Sequence, residues 1–121
     1  MPSQPIGRIR TRAAFSQLQR SRARAGSGPV RATFVPAPPG SDGLYPQVGY
    51  AVGKRCGNAV LRNSLRRRMR EAARATATSL PRGIYLLRVE PAAAQRDRAL
   101  FRADVQRALQ RAAAGTGVVR A

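Results

Sequence analysis

The chain has 121 residues, and its 23 Lys and Arg against 5 Asp and Glu give a formal charge of +18 with no histidine. That length supports one domain with a modest core, and 43% apolar residues are too many for a wholly disordered basic tail. No apolar run approaches the roughly 20 residues that span a bilayer, and Met1 to Arg10 holds no apolar signal region.

Taken in chain order, residues 1–10 read as a flexible basic segment, 11–114 as one domain and 115–121 as a flexible tail. Thr11 offers a cap for a predicted helix over 12–25, in which Ala14, Phe15 and Leu18 recur at helical spacing before Gly26, Gly28 and Pro29. Val30, Ala32 and Phe34 then alternate with Arg31, Thr33 and Val35, the period of a strand with one buried face. Pro36 ends it, and the Pro- and Gly-rich stretch 37–46 predicts a surface connection. Val48, Tyr50 and Val52 mark a second strand whose other face is small. Gly57 and Asn58 break that strand and cap a long helix predicted over 59–78. Ile84 to Val89 reads as a further strand closed by Pro91, and Asp97 caps a last helix running to Gly115. The pattern predicts a single α+β domain of order α, two or three β, α, β, α.

The basic residues are 22 Arg and one Lys, Lys54, which favours planar groups that fork onto phosphates and stack on bases. Residues 54–74 alone carry eight basic groups and one acid. On a helical wheel Leu61, Leu65, Met69 and Ala72 fall within an arc of about 80°, with Arg62, Arg66, Arg67, Arg70, Arg74 and Asn63 across the other side. A solvated helix face ordinarily mixes signs, whereas Arg62, Arg66 and Arg70 are like charges at a spacing that disfavours the isolated helix. Glu71 can pair with Arg67 or Arg74, but one carboxylate does not neutralise six arginines, so this face is expected to bind a polyanion. Arg68 falls near the edge of the apolar arc, where it either snorkels past the core or lines a groove between helix and sheet.

Nothing in the sequence resembles a protein catalytic centre. No histidine is present to act as base, and Asp42, Glu71, Glu90, Asp97 and Asp104 are scattered. Gly49, Gly53 and Gly57 lack the Gly-Lys-Ser/Thr ending of a phosphate loop. Cys56 has no cysteine partner for a disulfide and reads as a packing residue in a reducing, cytoplasmic setting. Phe15, Phe34, Tyr50 and Tyr85 offer stacking surface for unpaired nucleotides, although a small core claims Phe34 and Tyr85 first.

Pro46 to Ala73, PQVGYAVGKRCGNAVLRNSLRRRMREAA, resembles the strand, turn and arginine-rich helix of the bacterial ribonuclease P protein subunit over about a quarter of the chain. The family pattern, xVGxxVxK(K/R), then Gly-Asn-Ala, then Arg-Asn-Arg with further basic residues, is matched by Val48, Gly49, Val52, Lys54, Arg55, Gly57, Asn58, Ala59, Arg62, Asn63, Arg66 and Arg67. Ser64 stands where the motif has its second arginine, with Arg67 and Arg68 one turn on, and the strand end Arg88-Val89-Glu90 lacks the paired basic character often seen there. The resemblance implies an αβββαβα domain with a left-handed βαβ crossover, acting as a monomeric protein in a ribonucleoprotein. It also implies that the RNA component, with bound Mg²⁺, removes the 5′ leader of precursor tRNA. Lys54, Arg55 and Asn58 would join Arg62, Asn63, Arg66, Arg67, Arg70 and Arg74 in contacting the catalytic RNA. A cleft between the first helix and the sheet, with Phe15, Phe34, Tyr50 and Arg68, would receive the leader. A structural RNA-binding protein of the ribosomal type is the alternative expectation, and a DNA-compacting protein a third.

Overall fold

A computed structural model describes residues 12–37 and 46–115, apart from the side chains of residues 13–15. The elements are α1 (Arg12–Arg20), β1 (Ala23–Ser27), β2 (Val30–Pro36), β3 (Gln47–Val52), α2 (Ala59–Thr76), β4 (Gly83–Val89) and α3 (Arg98–Ala114), with short 3₁₀ turns at Lys54–Cys56, Ala77–Ser79 and Pro91–Gln95. Thr11, residues 1–10 and 116–121 of the segments expected to be flexible, and most of the 37–46 connection lie outside the described residues, while Gly115 is described as the cap of α3.

The first helix is shorter than its periodicity predicts, and a strand occupies the remainder. Ser21 turns the chain: its hydroxyl donates to the Phe34 carbonyl at 2.5 Å and accepts from the Ala23 amide at 3.1 Å. Ala23 to Ser27 then pairs antiparallel with Val30 to Phe34. The hairpin closes through Gly28 at φ +55, a left-handed conformation that a Cβ strains. Alanines favour helix locally, so β1 is made by pairing to β2 rather than by its own propensity. The two later helices begin where their caps predict. Asn58 Oδ1 accepts from the Leu61 amide at 3.0 Å, and Asp97 Oδ2 accepts from the amides of Ala99 and Leu100.

The sheet order is β1-β2-β4-β3, with β4 antiparallel to β2 and parallel to β3. Helix α2 is thus the crossover of a βαβ unit. In register, Ala23, Phe34, Tyr85 and Val48 line up across the sheet, as do Ala25, Ala32, Leu87 and Tyr50. Phe34 and Tyr85 stack with centroids 4.4 Å apart. This face is covered by Leu65, Met69, Ala72 and Ala73 of α2 and by Phe101, Val105, Ala108, Leu109 and Ala112 of α3, all buried. Each large side chain so enclosed contributes about 1.5–3 kcal/mol, and the alanines let the helices lie close to the strands. Gln106 donates to the Ala72 carbonyl and Gln110 to Thr76 Oγ1, both at 3.2 Å. Both partners advance by four, so α2 and α3 run parallel.

Asp104 pins α3 to the hairpin. It is 2% exposed, and it accepts from Ser27 Oγ at 2.9 Å and from Arg96 Nε at 2.9 Å, with Arg107 Nη1 at 3.9 Å. A Cβ on Gly28 would meet its carboxylate at 2.5 Å, so close approach as well as the positive φ requires glycine there.

Helix α1 packs against β2 and β4. Leu18 is buried yet outside the cluster beneath α2 and α3, and Arg24 Nη2 and Nε reach back to the Gln19 and Ser21 carbonyls at 2.8 and 3.0 Å. Arg24 lies between the inward-facing Ala23 and Ala25, so α1 sits on the opposite face of the sheet.

Candidate nucleic-acid interface

The 3₁₀ turn before α2 lifts Lys54 and Arg55 into solvent while Cys56 is buried beneath them, its thiol directed at the Val89 carbonyl at 3.7 Å. Cys56 is therefore the anchor of a basic turn. Gly57 follows at φ +136, and a Cβ there would strike the Leu61 side chain. Asn58 is exposed and caps α2 through its side-chain oxygen.

On α2 itself, Arg67, Arg70 and Arg74 are exposed, and Arg66 is half-buried with its Nη1 donating to Asn63 Oδ1 at 2.8 Å. Asn63 thus orients Arg66. Arg62 departs from the expected outward face: it is half-buried, and its Nε is enclosed without a partner among the described residues. Arg62, Arg66 and Arg70 follow one flank of the helix at steps of four. Because the Arg70 guanidinium lies 5.6 Å from the Tyr50 ring centroid, that flank faces β3. Glu71 neutralises neither Arg67 nor Arg74: the described ion pairs are Arg31–Glu90, Arg96–Asp104 and Arg107–Asp104, and none involves α2.

The expected cleft quartet is not brought together. Phe34 is 1% exposed on the helix-covered face, stacked on Tyr85, so it is a core residue and not a leader contact. Tyr50 shares that face and lies under α2 rather than beside α1. Its hydroxyl is enclosed without a partner among the described residues, and burial raises the phenol pKa, with Arg70 and Arg74 pulling it partly back. Arg68 is half-buried about 200° around the helix from Arg70, so it does not meet Tyr50. The Phe15 side chain lies outside the described residues.

The face that carries α1 has a basic patch that the sequence pattern does not announce. Arg31 and Arg88 stand directly opposite each other on β2 and β4, and Arg24 of β1 opposes Thr33 of β2. Together with Ala25, Ala32 and Thr33 they line an open groove of about 350 Å³. Like charges directly across a sheet are destabilising, and among the described residues only Arg31 of these three has a carboxylate, Glu90 at 3.4 Å. Alternation alone puts these residues outward, but register, which no local pattern reports, puts them together.

Among the described residues no three Cys, Asp or Glu side chains converge as a metal site, and no helix is long and apolar enough to cross a membrane. A basic α+β domain with an arginine row on one helix that meets no carboxylate among the described residues has the charge pattern of a nucleic-acid-binding protein. Residues 5–113 match the family model described as Ribonuclease P. The chain is 38% identical over 112 residues to the ribonuclease P protein component of Thermobifida fusca, covering 88% of this chain and 76% of the relative. It is 39% identical over 108 residues to that of Synechococcus, covering 87% and 80%. Its fold matches the RNase P proteins of Staphylococcus aureus (TM-score 0.75, 19% identity, 85% of each chain) and Thermotoga maritima (TM-score 0.71, 23% identity, 86% and 96%). The chain belongs to the ribonuclease P protein family, which favours that reading over a ribosomal-type protein.

Proposed function

We propose that the chain assists a catalytic RNA in removing the 5′ leader of precursor tRNA, as a monomeric protein in a cytoplasmic ribonucleoprotein. The observation that carries this reading is the α2 row, which has no carboxylate partner among the described residues, in a chain of this family. Arg62, Arg66, Arg67, Arg70 and Arg74, with Lys54 and Arg55 at the leading turn, neutralise phosphates of folded RNA. Its A-form major groove is too narrow to be read by side chains, so shape and charge dominate. The single-stranded leader lies on the α1 face of the sheet, where Arg24, Arg31 and Arg88 draw its phosphates and offset their mutual repulsion. The RNA performs hydrolysis. Mg²⁺ is held mainly by RNA oxygens, the hard donors that this cation prefers. The protein lowers the Mg²⁺ demand by supplying fixed positive charge.

Adding the protein to a bacterial ribonuclease P RNA should lower the Mg²⁺ concentration needed for half-maximal precursor cleavage. An unchanged Mg²⁺ requirement would contradict the proposal.

A further inference from the structure

Tyr50 and Tyr85 lie on the same face of the sheet, yet their hydroxyls differ. Tyr85 Oη donates to the Pro81 carbonyl at 2.6 Å, whereas Tyr50 Oη is enclosed and has no partner among the described residues. The Tyr50 ring packs against the margin of the core, a task phenylalanine performs equally well. An enclosed hydroxyl without a hydrogen bond is destabilising, so among the described residues nothing offsets the burial of that oxygen.

What covers the ring is a movable cation. Arg70 is exposed, makes no ion pair or hydrogen bond among the described residues, and holds its guanidinium 5.6 Å from the ring centroid. Such an interaction is weak at an exposed site, and a phosphate offers the guanidinium a stronger, forked partner. A phosphate held by Arg70 would lie at the margin of the Tyr50 ring, within reach of the phenol that Arg70 and Arg74 both influence. Arg74, one turn further along α2, adds a second charge at this seam. A phenol is protonated at neutral pH, so each of these groups can donate a hydrogen bond, and a phosphate accepts them.

We propose that the seam between β3 and α2 is a phosphate subsite for RNA, in which Arg70 and Arg74 bring in the phosphate and Tyr50 Oη donates a hydrogen bond to it. This rests on the functional reading above and adds a residue whose contribution carries no charge.

The test compares the unaltered chain, Tyr50→Phe, Arg70→Ala and the double variant for affinity to a bacterial ribonuclease P RNA across a salt series, with thermal unfolding of each free protein. Tyr50→Phe should bind about tenfold more weakly, the loss expected for one hydrogen bond to a charged acceptor. Its salt slope should be unchanged, because no charge is removed, and its Tm equal or higher. In the double variant the hydroxyl's loss should add little to that of Arg70→Ala. Affinity of Tyr50→Phe equal to the unaltered chain, or a lowered Tm showing the hydroxyl paired in the free protein, would overturn the subsite. If the unaltered chain itself fails to bind, the functional reading falls and the subsite with it.

Discussion

Helices α2 and α3 are parallel neighbours with similar numbers of residues, both rich in arginine, and they use that arginine in opposite ways. On α3, Arg107 Nη1 reaches Ser27 Oγ at 3.1 Å and the buried Asp104, and Arg111 Nη1 reaches the Gly26 carbonyl at 2.9 Å. These guanidiniums fasten the helix to the β1–β2 hairpin. On α2 the guanidiniums find only Asn63 and the face of Tyr50 among the described residues. An arginine satisfied within its own chain stabilises the fold, and an arginine left unsatisfied beside others of its kind stores repulsion that a polyanion relieves.

The largest expected effect breaks the structural side of that contrast. Asp104→Ala leaves Ser27 and Arg96 without their buried acceptor and should cost about 2–3 kcal/mol in chemical denaturation, discounted because Arg96 and Arg107 are partly solvated. RNA affinity of the folded fraction should be unaffected. A loss below about 0.5 kcal/mol would reduce Asp104 to an ordinary surface acid. Gly28→Ala should act in the same direction, through the clash with Asp104 and the positive φ.

The next effect belongs to the binding side. Arg66→Ala should reduce the slope of log affinity against log salt by about 1, the value for one phosphate left unneutralised, while Tm stays level or rises slightly as repulsion falls. Arg88→Ala should act on a smaller scale and differently. It should weaken leader-bearing precursor more than mature tRNA, and equal losses would remove the leader from the α1 face. Smallest is the response to pH. With no histidine, stability should be flat between about pH 6 and 8. Burial raises the pKa of both Tyr50 and Tyr85, so the unfolded chain releases their protons first and stability should fall above about pH 10.

How much of this is legible in the chain follows from the range of each interaction. Asn58 and Asp97 act on amides two or three residues away, so the starts of α2 and α3 can be read locally. The motif from Val48 to Arg67 is equally contiguous, and it points to the family. Strand β1 cannot be read, because Ala23 and Ala25 favour helix until β2 pairs with them. Asp104 looks like another surface acid until Ser27, 77 residues away, arrives beside it. Arg31 and Arg88 become a patch only through β2–β4 register. Residue type alone suggests a cleft for Phe34 and Tyr50, whereas side-chain alternation sends both to the face that α2 and α3 cover.

The division of labour between the two helices is tested most directly by the salt dependence of binding to a bacterial ribonuclease P RNA. Two charge-matched variants are needed, Arg66/Arg67→Gln on α2 and Arg107/Arg111→Gln on α3, each with its Tm. The α2 variant should lose about 2 from the slope and keep its Tm, and the α3 variant should keep its slope and unfold at lower temperature. Equal slope losses from both helices, or a larger loss from α3, would contradict the account.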